Sequence, residues 1–85
     1  METTATVTVY STNTCPYCVM AKHLLGAKGA AMTEIDVGSD YEQLQQMMAR
    51  SGRRTVPQIF IGDVHVGGYD DLLALDRQGK LDTML

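Results

Sequence analysis

Two cysteines separated by two residues are the side chains of this sequence best suited to covalent chemistry. Cys15 and Cys18 are the chain's two cysteines and lie in the segment Thr14-Cys15-Pro16-Tyr17-Cys18. A cysteine thiolate attacks disulfides, and a second thiol nearby can release the mixed disulfide that results. The spacing therefore predicts a redox-active pair. Two other interpretations stay open, namely a half zinc site shared with a second chain and two inert structural thiols.

A helix that begins directly after Cys15 would make this cysteine the reactive one. Pro16 is favoured at the first helical position, where its missing N–H costs nothing. Cys15 would then occupy the helix N-terminus, whose unpaired N–H groups and positive dipole end stabilise a thiolate. Cys18 would lie about one turn deeper on the same side of the helix. The sequence thus predicts Cys15 as the nucleophile and Cys18 as the resolving thiol.

The segments around the pair predict alternating strands and helices. The predicted strands cover residues 6–10, 31–37, 58–61 and 64–66, and the predicted helices begin at Pro16, at a Ser39–Glu42 capping box and at Tyr69. A two-residue turn at 62–63 makes the last two strands antiparallel, whereas the first strand–helix–strand unit needs parallel strands. The order β-α-β-α-β-β-α therefore predicts an α/β fold, with a four-stranded mixed sheet flanked by three helices.

Length and composition limit the possible partners. Eighty-five residues predict a single domain over 1–85, and the net charge of −3 argues against nucleic acid and anionic membranes as partners. No apolar run is long enough to span a membrane, and the polar, acidic segment Met1–Ala5 does not resemble a signal peptide. We therefore expect a cytoplasmic protein, in a reducing compartment where such a cysteine pair is a redox motif rather than a structural disulfide.

Neither histidine is spaced to complete a metal site with the cysteines. His23 lies more than one helical turn beyond Cys18, and His65 belongs to a predicted short strand. Isolated histidines in such places are usually surface or strand residues. We therefore expect no metal ligands in this chain.

Three motifs in a fixed order resemble one family. Cys15-Pro-Tyr-Cys18, Thr55-Val-Pro-Gln58 and Gly67-Gly-Tyr-Asp-Asp71 together are similar to the glutaredoxins, in particular the short bacterial class with two active cysteines. The likeness extends from Val7 to about Leu81. It implies a thioredoxin fold, in agreement with the order of elements above, and glutathione as a co-substrate rather than a tightly bound cofactor.

The resemblance also implies a glutathione site at the Thr55–Pro57 segment. In the family, Pro57 would follow a cis peptide bond, and the main chain of Val56 would pair with the cysteinyl part of glutathione. An X–Pro bond tolerates the cis form at a cost of about 0.5–1 kcal/mol. The alternative is a trans proline that merely begins a strand.

The glycine-rich motif would hold the γ-glutamyl end of glutathione. The resemblance implies that Gly68 and the backbone N–H groups of Tyr69 and Asp70 lie at the carboxylate, as expected for a helix N-terminus. The Asp71 carboxylate would then bind the amino group. Plain N-capping by the two aspartates is the alternative, and both roles are compatible.

Two further side chains complete the implied site. Tyr17 would pack on the bound tripeptide, unless it is simply an exposed helix tyrosine. Arg54 adjoins the Thr-Val-Pro motif and would meet the glycyl carboxylate, whereas a solvated helix end is the preferred interpretation for Arg50. The family commonly has a basic residue at the position of Thr12, so here the helix N-terminus would carry more of the stabilisation of the thiolate.

The implied activity is that of a glutathione-dependent thiol–disulfide oxidoreductase. It would act as a monomer on protein–glutathione mixed disulfides and on protein disulfides, with ribonucleotide reductase among the possible clients and glutathione reductase acting indirectly. Two alternatives remain. One is an electron donor reduced by thioredoxin reductase, and the other is a module in which two chains and glutathione hold an iron–sulfur cluster.

Overall fold

The chain folds into strands and helices close to the predicted ones. The computed structural model describes residues 6–85, so the expectation for Met1–Ala5 lies outside the described residues. The strands are β1 (Val7–Ser11), β2 (Met32–Asp36), β3 (Gln58–Ile61) and β4 (Val64–Gly67), and the helices are α1 (Pro16–Ala27), α2 (Tyr41–Ser51), α3 (Tyr69–Arg77) and α4 (Leu81–Met84). Across residues 6–85, no helix has the length and apolar character that crossing a bilayer requires.

The four strands form one mixed sheet in the order β2-β1-β3-β4. β1 is parallel to β2, with Val7 opposite Met32, and antiparallel to β3, with Tyr10 opposite Gln58. β3 and β4 are antiparallel and are joined by the Gly62–Asp63 turn. The predicted mixed sheet is confirmed. The cysteine motif follows the end of β1 and the Thr-Val-Pro motif precedes the start of β3, and these antiparallel strand ends lie at the same end of the sheet.

Alternation along the central strands places a separate apolar cluster on each face of the sheet. One cluster joins β1 and β3 to α1, α3 and α4 through Val7, Val9, Ala21, Leu25, Ile59, Ile61, Leu72 and Leu81. The other joins the opposite face to α2 through Tyr10, Val37, Met47 and Phe60. Packing on both faces fixes the ends of β1 and β3, which position the chemistry.

The start of α2 differs by one residue from the predicted capping box. Asp40 is the N-cap, and its carboxylate accepts a hydrogen bond from the N–H of Gln43. Ser39 instead donates its hydroxyl to Asp36, whose other oxygen accepts the N–H of Gly38. The prediction of Ser39 as the cap is wrong because Asp36 at the end of β2 competes for its hydroxyl.

A fourth helix, α4, follows the three predicted ones. Four residues are too few to show a helical period, so the sequence pattern did not indicate it. Leu81 anchors α4 in the core and is fully buried. Lys28 at the end of α1 reinforces this, since its Nζ lies 2.7 Å from Asp76 and 3.0 Å from Asp82. Hydrogen bonds to these two carboxylates raise the pKa of Lys28.

Arg50 contacts the core rather than forming a purely solvated helix end. It lies in the last turn of α2, as the dipole argument favours. Its Nη1 donates to the hydroxyl of Tyr10 over 2.8 Å, and its guanidinium carbon lies 4.1 Å from the ring centroid of Phe60. The preferred interpretation of Arg50 was therefore incomplete, because the apolar face of α2 brings the guanidinium over an aromatic ring.

Candidate active site

Cys15 caps the N-terminus of α1 with its own sulfur. The residue has extended backbone angles, and Pro16 occupies the first helical position. The Sγ atom of Cys15 accepts a hydrogen bond from the backbone N–H of Cys18 over 3.2 Å. The sulfur thus faces a backbone N–H group of the first turn of α1. The structure thus places Cys15 at the helix N-terminus that the sequence predicted.

Cys18 has the opposite environment. Its side chain is fully buried, whereas Cys15 is partly exposed. Burial, reinforced by the hydrogen bond with Cys15, raises the pKa of Cys18 from 9.0 to about 12. At neutral pH Cys18 therefore stays a thiol and does not compete as a nucleophile. It can act once a disulfide on Cys15 offers it an adjacent sulfur to attack.

The Thr55–Pro57 segment lies against the nucleophile. The Val56–Pro57 peptide bond is cis, as the resemblance implied. The Cys15 thiol donates to the carbonyl oxygen of Val56 over 3.7 Å. This contact sets the sulfur beside the main chain that precedes β3.

An open cavity of about 290 Å³ adjoins this segment. It is lined by Tyr17, Arg53, Thr55, Val56, Pro57, Gly68, Tyr69, Asp70 and Asp71. Every glutathione-site residue named from the sequence lines the cavity, with the exception of Arg54. The cavity and Cys15 meet at Val56, so a ligand in the cavity would lie next to the Cys15 sulfur.

Arg53 lines the cavity, whereas Arg54, the arginine expected at the site, does not. Its Nη1 lies 3.0 Å from Oδ2 of Asp71. Arg53 and Arg54 are consecutive residues of the loop after α2, where no periodicity tells which one faces inward. The pairing with Asp71 depends on tertiary structure, and for that reason Arg53 was missed.

Asp71 connects the cavity wall to the first turn of α3. Its Oδ2 also accepts the backbone N–H of Gly68 over 3.0 Å, which is the N-capping contact of this helix. The Gly68 hydrogen bond and the Arg53 guanidinium hold the pKa of Asp71 below its usual value. Oδ2 makes both contacts, and Oδ1 has no hydrogen-bond partner among residues 6–85. An ionised carboxylate oxygen thus remains open to a cationic group of a ligand.

Two tyrosines face each other across the helix starts that border the cavity. Tyr17 lies in the first turn of α1, and Tyr69 is the first residue of α3. Their ring centroids lie 6.2 Å apart. Tyr17 remains 59% exposed, so its ring is available to a ligand. The N-termini of both helices therefore border the same opening, which favours an anionic ligand there.

Gly67 leaves the space that Asp71 occupies. Its φ of +115° disfavours side chains, and a Cβ there would lie 2.3 Å from Oδ2 of Asp71. We expect Gly67→Ala to lower the free energy of unfolding by about 1–3 kcal/mol and to displace the Asp71 carboxylate. Urea denaturation measures the first effect. Gly62→Ala is the control, because Gly62 has a φ of +60° and a Cβ added there would meet open space. Equal losses in both variants would exclude the contact with Asp71 as the cause.

No group of three or more His, Cys, Asp or Glu side chains within residues 6–85 is arranged to hold a metal ion. His23 lies on α1 beside the apolar groove formed by Val19, Met20, Leu24, Ala27 and Tyr69. His65 lies in β4 and contacts Gln58. The two histidines are thus separated in the structure, and neither lines the cavity next to Cys15.

Comparisons with known proteins agree with this geometry. The glutaredoxin family model matches residues 7–66. Over 81 residues the chain is 49% identical to Glutaredoxin 3 of Escherichia coli (strain K12), covering 95% of this chain and 98% of that protein. The solution structure of a glutaredoxin from Brucella melitensis is 52% identical, with a TM-score of 0.87 over 99% of this chain and 91% of that chain. A buckwheat glutaredoxin–glutathione complex is 33% identical, with a TM-score of 0.86 over 95% of this chain and 76% of that chain.

The likeness thus extends over sequence and fold. The mixed sheet with its helices is the thioredoxin fold of these structural neighbours. The cysteine pair at the start of α1 has the placement that thiol–disulfide exchange requires. The chain belongs to the glutaredoxin family, whose members are thiol–disulfide oxidoreductases.

Proposed function

We propose that this enzyme uses glutathione to reduce protein–glutathione mixed disulfides and protein disulfides. The observation that carries the proposal is the cavity beside Cys15, bordered by two helix N-termini and by the Asp71 carboxylate. Glutathione combines a sulfur, two carboxylates and one ammonium group, and the cavity offers chemistry suited to each. The buckwheat relative was solved as a complex with glutathione, which supports the same class of ligand here.

In the proposed reaction, the Cys15 thiolate attacks the glutathione sulfur of a mixed disulfide. The bond between that sulfur and the client sulfur breaks, and the client leaves as a thiolate that takes up a proton. A second glutathione thiolate then attacks the glutathione sulfur bound to Cys15, which releases oxidised glutathione and restores the Cys15 thiolate. The cycle thus consumes one free glutathione, whose sulfur is oxidised to the disulfide as the client sulfur is reduced to the thiol.

For a protein disulfide, Cys18 performs the second step. Cys15 attacks one sulfur of the client, and the Cys18 sulfur then attacks Cys15 as its proton leaves. This step forms the Cys15–Cys18 disulfide and frees the client dithiol. Two glutathione molecules reduce the enzyme again. The backbone nitrogen of Cys18 already lies 3.2 Å from the Cys15 sulfur, which supports the proposed exchange between these neighbouring residues.

Binding of glutathione is proposed to use main-chain and side-chain groups at three places. The main chain of Val56 would pair with the cysteinyl part, with Thr55 and Pro57 holding the segment. The γ-glutamyl carboxylate would meet the N–H groups of Tyr69 and Asp70 at the start of α3, next to Gly68. Tyr17 would cover the tripeptide.

The two arginines would serve different ends of glutathione. Arg53 is paired with Asp71, and its charge therefore lies at the γ-glutamyl end. Arg54 remains the proposed partner of the glycyl carboxylate. It does not line the cavity, so it would reach that carboxylate from the rim.

Asp71→Asn tests the proposed contact with the amino group. Asparagine keeps an oxygen that can accept the N–H of Gly68, but it lacks the charge that binds an ammonium group. We expect the KM for glutathione to rise by about tenfold, with a smaller change in kcat. Asp63→Asn is the control, because it removes the same charge in the β3–β4 turn. An unchanged KM in Asp71→Asn would contradict the proposed role of this carboxylate.

Turnover of a small glutathione mixed disulfide tests the function as a whole. We expect turnover when glutathione and glutathione reductase are supplied. If the wild type is inactive with glutathione while thioredoxin reductase reduces its disulfide, the glutathione site is refuted. The protein would then be an electron donor reduced by thioredoxin reductase. Visible absorption after anaerobic purification would instead indicate the iron–sulfur alternative.

A further inference from the structure

A buried glutamine joins a histidine in β4 to the segment beside the nucleophile. Gln58 follows Pro57, and its side chain is 1% exposed. Its Nε2 lies 3.0 Å from the carbonyl oxygen of Thr55 and 3.2 Å from the Thr55 hydroxyl. Its Oε1 lies 2.8 Å from Nε2 of His65. The three residues thus form a continuous hydrogen-bonded chain.

The direction of each hydrogen bond in this chain follows from the groups present. A carbonyl oxygen only accepts, so the amide Nε2 of Gln58 must donate to Thr55. This orientation turns Oε1, an acceptor, toward His65. The Nε2 atom of His65 must then carry a proton and donate it. His65 is held in place by the ring of Phe60, whose centroid lies 4.8 Å from its own.

The carbonyl of Thr55 matters because of the peptide unit to which it belongs. In a trans peptide, C=O and the following N–H point in opposite directions, and the cis bond of this segment is the next one, Val56–Pro57. Fixing the Thr55 oxygen against Gln58 therefore turns the N–H of Val56 away from Gln58. Val56 lines the cavity, and its own carbonyl oxygen accepts a hydrogen bond from the Cys15 thiol.

We propose that Gln58 and His65 are positioning residues that orient the Thr55–Val56 peptide for glutathione. His65 holds the Gln58 amide in one orientation, and Gln58 holds the carbonyl of Thr55. Neither residue lines the cavity, so both act through the main chain. Thr55 is itself exposed, so the buried amide of Gln58 is its anchor to the interior. This inference rests on the proposed function, because it assigns glutathione to the Val56 main chain.

His65→Phe and His65→Gln separate this role from a merely structural one. Phenylalanine keeps a ring beside Phe60 but removes the donor, whereas glutamine supplies an N–H near the position of the histidine Nε2. We expect His65→Phe to raise the KM for the glutathione mixed disulfide by about five- to tenfold, with kcat nearly unchanged. We expect His65→Gln to restore most of the wild-type KM. His23→Phe is the control, since it removes the other histidine, which takes no part in the hydrogen bonds between Thr55, Gln58 and His65.

A double variant tests whether the effect passes through Gln58. Gln58→Met removes the amide, so His65→Phe should then raise the KM no further. Independent structural effects would multiply instead, and such a result would overturn the proposal. A His65→Phe enzyme with unchanged KM, or a His65→Gln enzyme no better than His65→Phe, would overturn it as well.

Nuclear magnetic resonance without any ligand distinguishes this proposal from the proposed function. The Val56 amide nitrogen shares a peptide unit with the Thr55 carbonyl, so its chemical shift reports on that hydrogen bond. We expect the shift to change in His65→Phe and to return toward the wild-type value in His65→Gln. If the shift follows this order while glutathione turnover is absent, the proposed function is refuted. The proposed orientation of the Thr55–Val56 peptide by Gln58 and His65 then still stands. If the Val56 shift does not change in the His65 variants, the orienting role of Gln58 and His65 is overturned, whatever the turnover.

Discussion

Cys15→Ser should abolish turnover of a glutathione mixed disulfide, while Cys18→Ser should keep most of it. The nucleophile forms the covalent bond in the proposed reaction, so its loss should lower kcat/KM by at least about a thousandfold. Cys18 takes no part when a second glutathione completes the cycle. Its thiol, with a pKa raised to about 12 by burial, stays protonated at pH 7. Glutathione-coupled turnover of the three proteins measures the difference.

The two variants control for one another, because each replaces one sulfur by one oxygen. Reduction of a protein disulfide adds a second comparison, since Cys18→Ser should lose the intramolecular release step there. An active Cys15→Ser protein beside an inactive Cys18→Ser protein would reverse the assigned roles. Equal activity of both variants would move the chemistry away from the pair altogether.

The reduced protein should lose stability steeply in alkaline solution because of Cys18. In the unfolded chain its thiol loses a proton near the ordinary pKa of 9.0, whereas the folded protein retains that proton up to about 12. Above pH 9 the unfolded state therefore binds fewer protons, and rising pH favours unfolding. The free energy of unfolding should fall with a slope approaching about 1.4 kcal/mol per pH unit between pH 9 and 12. Below pH 9 this contribution is fully present.

Urea denaturation of wild type and Cys18→Ala across this range isolates the effect. The variant has a fixed cost from the smaller side chain at every pH, but it lacks the thiol that titrates. Lysines and tyrosines titrate in both proteins, so their effects cancel in the difference. The two stability curves should converge above pH 9. Curves that stay parallel up to pH 12 would show that burial does not suppress ionisation of Cys18.

Local signals in the sequence predicted most of the fold. Pro16 and the turn residues at 62–63 act within a few residues, so their neighbours in sequence were enough to set the start of α1 and the β3–β4 turn. The Ser39 cap failed because Asp36, at the end of the preceding strand, binds that hydroxyl. The sequence pattern did not predict the short helix α4, because packing of one buried leucine, Leu81, stabilises it and four residues show no periodicity.

The site was predicted as far as its motifs extend. Residues within the three motifs came together at the cavity, because the fold brings the starts of α1, β3 and α3 to one end of the sheet. Arg53 was missed since its partner lies 18 positions away, and a loop has no repeat that would relate the two. Likewise, no sequence pattern indicates that the side chain of Gln58 turns inward between Thr55 and His65.

The buried position of Leu81 also bears on how the chain folds as it is made. Leu81 packs in the same cluster as Val7, so residues near both ends of the chain complete one core. The central strand β1 is synthesised early, yet its partner β3 and its covering helix α4 come late. Until residue 81 has been synthesised, α4 cannot complete the cover of that face of the sheet. This part of the core can therefore close only after residue 81 has been synthesised, because its contacts join residues far apart in sequence.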